Sequence, residues 1–147
     1  ESAGTGTGGA PATVPTMEAG AARGLDLTGH RSRQVEAELV RRADLVIGME
    51  RRHVREASIL DPTAFPRSFT LKELVRRGEA IGPRAADESL AAWLARVHDG
   101  RSAVDLMGGS IDDDVLDPTN TIWIDHAMMA DEVESLAARL VALAWSP

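Results

Sequence analysis

Asp44-Leu45-Val46-Ile47-Gly48-Met49 is the stretch on which the fold turns. It is a short apolar run with β-branched Val46 and Ile47 at its centre and no polar alternation. A strand covered by helices on both faces reads this way, and such strands belong to parallel sheets. The flanks agree. Val35 to Arg42 reads as a short helix before it, and Glu50 to about Ile59 as another after it. Asp61-Pro62 then turns the chain, and Phe65 to Phe69 is a second candidate strand. Strands alternating with helices predict an α/β architecture, a three-layer fold with a small parallel sheet flanked by helices.

Further downstream, Thr70 and Glu73 form a capping-box pattern ahead of Leu71, Leu74 and Val75. Gly78 to Arg84 reads as a loop. Leu90, Trp93, Leu94 and Val97 follow i, i+3, i+4, i+7 spacing, with Asp87 or Ser89 as cap and Gly100 as the stop. A polar, acidic stretch runs from there to Asn120. The last helix carries Met129, Val133, Leu136, Leu140 and Leu143 on one face. Upstream, Thr5 to Pro15 is a flexible loop rich in Gly, Thr and Pro, and a short helix runs from near Thr16 to Gly24. No repeat and no long linker divides the chain, so residues 1–147 read as one domain. Glu1-Ser2-Ala3-Gly4 reads like the end of a strand entering a glycine-rich loop, which predicts an N-terminally incomplete domain.

Composition removes whole classes of function. The formal net charge of −7 disfavours nonspecific binding to nucleic acid or to an anionic membrane. No apolar run approaches the roughly 18 residues of a membrane-spanning helix. There are no cysteines, which excludes disulfides, thiolate metal sites and a cysteine nucleophile within these residues. No metal and no cofactor is expected. Asp112, Asp113 and Asp114 lack EF-hand spacing and read as a solvated acidic turn. Arg51, Arg52, His53 and Arg55 read as a solvated helix face, and Met128 and Met129 as packing residues. Gly4-x-Gly6-x-x-Gly9 matches a dinucleotide fingerprint in form only, because Ala10-Pro11 follows where a helix must open.

Three landmarks come in a telling order: Ser2-Ala3-Gly4-Thr5; then His30-Arg31-Ser32-Arg33-Gln34, ten residues ahead of the strand; then Asp114-Val115-Leu116-Asp117-Pro118, ahead of the last helix. Together they resemble the low-molecular-weight protein-tyrosine-phosphatase family downstream of its first strand, phosphate-binding loop and first helix. The resemblance spans nearly the whole chain and is weakest over Gly78 to Ser110, which looks like an insertion. It implies a cytoplasmic phosphomonoesterase that needs no cofactor and acts on a phosphorylated protein or a small aryl phosphate. In that family a Cys-x5-Arg loop cradles the phosphate, the thiolate attacks phosphorus, and an Asp-Pro loop supplies the general acid and base. By its match, Asp117 is the catalytic acid/base, while Ser2 and His30 match positions that support the phosphate loop.

The loop Cys and Arg match nothing in this sequence, so the 147 residues by themselves are expected to be inactive. In the family the strand leading into that loop lies in mid-sheet, and without it strand faces and backbone groups stand open. Family members commonly wall the cleft with aromatics in the first loop and just after the Asp-Pro pair. Thr5 to Gly9 has none, and Pro118 is followed by Thr119, Asn120 and Thr121, with Trp123 the nearest aromatic. The residues leave other readings open. Asp-Pro commonly starts turns, and His30 with Arg31 and Arg33 also suits an exposed basic loop. A non-catalytic remnant or binding module on the same scaffold is the alternative to the enzyme. An arsenate reductase-like protein ranks below both, since it needs further cysteines for a redox relay.

Overall fold

The structure is a computed structural model, described here for residues 2–6, 8–118 and 125–145. Its sheet is built from the expected strand, β1 (Val46–Gly48), paired in parallel with β2 (Ser68–Thr70). Val46 lies opposite Ser68, Ile47 opposite Phe69, and Gly48 opposite Thr70. The crossover between them is a helix followed by a 3-10 turn over Pro62–Arg67. Parallel strands need such a crossover, and the α/β reading holds. Numbered in chain order, the helices are α1 (Val14–Ala21), α2 (Ala37–Arg42), α3 (Arg51–Leu60), α4 (Leu71–Ile81), α5 (Leu90–His98) and α6 (His126–Ala144). Among the described residues no helix is long and apolar enough to cross a membrane.

The second strand is shorter than expected and starts later. Asp61 accepts hydrogen bonds from the Thr63 backbone N–H at 3.0 Å and the Thr63 hydroxyl at 2.7 Å. That Asx turn, with Pro62 behind it, winds the chain into the 3-10 segment and takes Phe65 with it. The Ser68 hydroxyl donates to Ala64 O at 2.8 Å and closes the turn. Only Ser68, Phe69 and Thr70 remain extended, and all three are buried.

Gly78 is where the expectation of a loop fails. Helix α4 runs on to Ile81. A Cβ at Gly78 would lie 3.0 Å from Trp93 Cζ2 and 3.1 Å from Leu143 Cδ1. The glycine therefore marks a close approach of α5 and α6 to α4 rather than a helix end. Trp93 is fully buried and its indole N–H donates to Gly82 O at 3.1 Å, so it has little room to move. Gly78→Leu is expected to cost about 1–3 kcal/mol by overpacking, despite leucine's better helix propensity. A urea midpoint at or above the parent's would show that the α4 contact can open.

The main core lies between α4, α5 and α6. Its buried members include Phe69, Leu74, Trp93, Val97, Leu136 and Leu140. The predicted apolar spacing of α5 is borne out, and Ser89 is its cap, accepting from the Ala92 N–H at 3.1 Å. Helix α6 is capped by Asp125, which accepts from the Met128 N–H at 2.8 Å. Met129 packs against the core as expected, whereas Met128 is exposed. Helix α1 begins two residues early because the Thr13 side chain caps it and Pro15 preorganises its first turn.

The segment read as a flexible loop is tied down. Gly4 N–H donates to Arg33 O at 2.7 Å and Val35 N–H to Gly4 O at 2.8 Å. Gly9 N–H and Ala10 O then exchange hydrogen bonds with the Ser32 backbone.

Candidate functional site

One edge of β1 is taken by β2. Along its other edge no described residue forms a bridge. A groove of about 990 Å³ opens there, with Ser2 to Thr5 on one wall and Val46 to Met49 on the other. Its lining also takes in Val35, Val40, Ala57 and His53. Ile47 and Met49 are each 38% exposed, high for residues of a two-face-buried strand. Both residues line the groove.

Beyond β1 the chain turns sharply into α3. A Cβ at Gly48 would fall 2.9 Å from His53 Cβ, so the absence of a side chain lets α3 start directly over the strand end. Glu50 N–H donates to His53 Nδ1 at 3.2 Å. Burial, followed by the nearby Arg52 charge, pushes the His53 imidazole below its ordinary value. His53 is therefore a neutral, half-buried cap at the groove, not part of a solvated face. Arg52 pairs with Glu50 through two hydrogen bonds, of 3.0 and 2.6 Å. Arg55 donates to Leu106 O at 3.0 Å.

The loop bearing Asp117 arrives at this same strand end. Val115 is buried in the main core, and its N–H donates to Met49 O at 2.7 Å. Asp117 follows two residues later and is half-buried. Arg52 is held above its ordinary value first by its hydrogen bonds to Glu50, with smaller contributions from the charges of Glu50, Asp117 and Asp114. Asp117 thus shares the electrostatic neighbourhood of Arg52, at the carboxyl end of β1.

The acidic turn ahead of it is not solvated, apart from Asp112, which is exposed. Asp113 and Asp114 are only 4% and 7% exposed. Asp113 Oδ2 accepts from Arg51 Nη2 at 2.7 Å, and its Oδ1 from Arg76 Nη2 at 2.8 Å. Burial alone would raise the Asp113 carboxyl, but the hydrogen bonds from Arg51 and Arg76 outweigh it and hold the group below the usual range. Asp114 Oδ1 accepts from the Arg51 backbone N–H at 2.7 Å, and its Oδ2 from the Ser110 N–H at 2.8 Å. The sequence carried no local signal for this, because Arg51 and Arg76 lie far from the turn along the chain.

Of the other residues singled out in the sequence, Ser2 is exposed and lines the groove, and His30 is exposed on the segment that runs into the bridge with Gly4. Thr119 to Thr121 and Trp123 lie outside the described residues. Among the described residues no group of His, Asp or Glu is arranged to hold a metal ion.

The fold and groove define an α/β domain with a carboxylate loop at the carboxyl end of a parallel strand. The family profile described as low molecular weight phosphotyrosine protein phosphatase matches residues 1–80, more than half of the chain. The chain belongs to that family. The match covers the Ser2–Thr5 and His30–Gln34 landmarks, β1, α3, β2 and most of α4, and stops short of Asp117. No curated protein matches, and no solved structure does.

Proposed function

We propose that this domain belongs to a cytoplasmic phosphomonoesterase of the phosphotyrosine type, with Asp117 as its general acid and base. One observation carries the reading: the hydrogen bond from Val115 N–H to Met49 O sets the Asp117 loop at the carboxyl end of a parallel strand. Open α/β sheets bind their ligands at that end. The open groove beside β1 gives a third strand room to enter and present a phosphate loop there.

In the proposed reaction a thiolate from a Cys-x5-Arg loop outside these 147 residues attacks phosphorus, and the bond from phosphorus to the leaving oxygen breaks. Asp117 gives that oxygen its proton. Water then attacks the phosphocysteine, Asp117 takes the water's proton, and the S–P bond breaks to release inorganic phosphate and restore the thiolate. Ser2, on the groove wall, and His30, on the segment leading to the Gly4 bridge, are the proposed supports of the phosphate loop. The substrate is a phosphorylated protein or a small aryl phosphate.

Having no cysteine, these residues alone are expected to form no phosphothiol and to show no turnover of 4-nitrophenyl phosphate. Preceded by a strand and a Cys-x5-Arg loop, the same residues are expected to turn it over and to yield a trapped phosphocysteine. Turnover by the pure, mass-verified 147-residue chain would demand another nucleophile. A chain carrying the loop that binds inorganic phosphate but never forms the phosphocysteine would favour the second reading, a binding module on a phosphatase scaffold. That second reading draws on the absence of cysteine.

A further inference from the structure

We infer that Asp113 and Asp114 are positioning residues, which hold Asp117 at the end of β1 by clamping its loop to α3 and α4. The inference rests on the proposed role of Asp117. Asp114 accepts two backbone N–H groups at once, one from Arg51 at the start of α3 and one from Ser110 within the loop itself. The first fastens the loop to the helix that leaves β1, and the second closes the loop on itself. A carboxylate there also meets the positive end of the α3 dipole. Asp113 adds side-chain bonds to Arg51 on α3 and Arg76 on α4.

Buried carboxylates of this kind are costly unless every lone pair finds a donor. Here they find donors on two different elements, so the loop has one well-determined seat. Val115 sits next in the core, with its N–H on Met49 O. Asp117 is two residues further on, and its position follows from that seat. A shift of about 1 Å in a catalytic group can cost on the order of a hundredfold in rate, which gives the clamp a kinetic consequence beyond stability.

The test uses the catalytically complete enzyme, with phosphoenzyme formation followed on two substrates. Phenyl phosphate needs its leaving oxygen protonated, whereas 4-nitrophenyl phosphate needs little help. Asp114→Asn keeps one acceptor and loses the other. It is expected to slow the phenyl ester about 10- to 100-fold, to leave the nitrophenyl ester within about threefold, and to add nothing further when Asp117 is already Asn. Affinity for inorganic phosphate, which does not depend on Asp117, should be unchanged.

Equal slowing of both esters would overturn the inference by showing general damage, as would an unchanged phenyl ester rate. If Asp114→Asn loses phosphate binding, Arg76→Gln carries the test. Arg76 is half-exposed and its loss removes a single partner of Asp113, so the expected effect is about three- to tenfold on the phenyl ester alone. The parent reading fails separately, if Asp117→Asn itself shows no dependence on the leaving group.

Discussion

Asp117→Asn is expected to slow phosphoenzyme formation from phenyl phosphate by about 10²–10⁴-fold in the catalytically complete enzyme, the usual size of a general-acid contribution. The amide retains the shape of the carboxyl group and cannot give up a proton. Phenolate is a poor leaving group, so the loss falls fully on the step that breaks the P–O bond. A nitrophenyl ester should suffer much less in that step. The measurement must isolate the first step by rapid mixing, because Asp117 is also the proposed base in phosphocysteine hydrolysis. Asp112→Asn is the control, since Asp112 is exposed. Asp113 and Asp114 are unsuitable as controls because both are buried in hydrogen bonds that seat the loop. Unchanged phenyl ester kinetics in Asp117→Asn, with a collapse in Asp112→Asn, would mean that the acid has been assigned to the wrong carboxylate.

Glu73→Gln is expected to destabilise the fold by about 3–5 kcal/mol, the range for removing one partner of a buried ion pair. Against a typical total of about 5–15 kcal/mol that is a large fraction. The Arg101 side chain is 2% exposed and that of Glu73 10%. Arg101 Nε donates to Glu73 Oε1 at 2.7 Å and Nη2 to Oε2 at 3.0 Å, a two-pronged pair. The guanidinium also donates to Ser68 O at 2.8 Å and Phe65 O at 3.2 Å. It lies 4.1 Å from the Phe69 ring centroid and 4.7 Å from that of Phe65. Burial weakens the proton affinity of Arg101, and Glu73 opposes that effect. Removing the carboxylate strands a positive charge that water cannot reach. Chemical denaturation of both proteins measures the cost. The paired change Glu73→Leu with Arg101→Met should recover part of the loss, but not all, because the Ser68 and Phe65 carbonyls lose their donor as well. A loss below about 1 kcal/mol in Glu73→Gln would show that solvent reaches the pair after all.

What local sequence could specify, it specified well. The apolar run at Val46 and Ile47 became the parallel strand, the apolar positions of α5 and α6 became the core, and Thr70 and Ser89 became helix caps. Each of these depends on periodicity or on a hydrogen bond spanning a few residues. Asp117 was legible as a site candidate because an Asp-Pro pair stands in the right order behind two other landmarks. Its seat at the end of β1 was not legible, since that depends on a hydrogen bond between Val115 and Met49, 66 positions apart.

The readings that failed share a cause. Gly78 resembled a helix end because glycine is a poor helix former, yet Trp93 and Leu143 approach so closely that even a Cβ there would crowd them. Glu73 resembled half of a capping box, and only Thr70 kept its part, because the carboxylate gains more from a buried guanidinium than from an N–H at the helix start. Asp113 and Asp114 resembled a solvated turn because a run of acidic residues normally repels itself into water. Arg51 and Arg76 reverse that by arriving from α3 and α4. In the sequence by itself lay the class of fold, the order of its elements and the candidate acid. Tertiary structure alone decided which charges are buried, because a charge can leave water only where distant partners replace its hydration, and those partners meet only once the chain has folded.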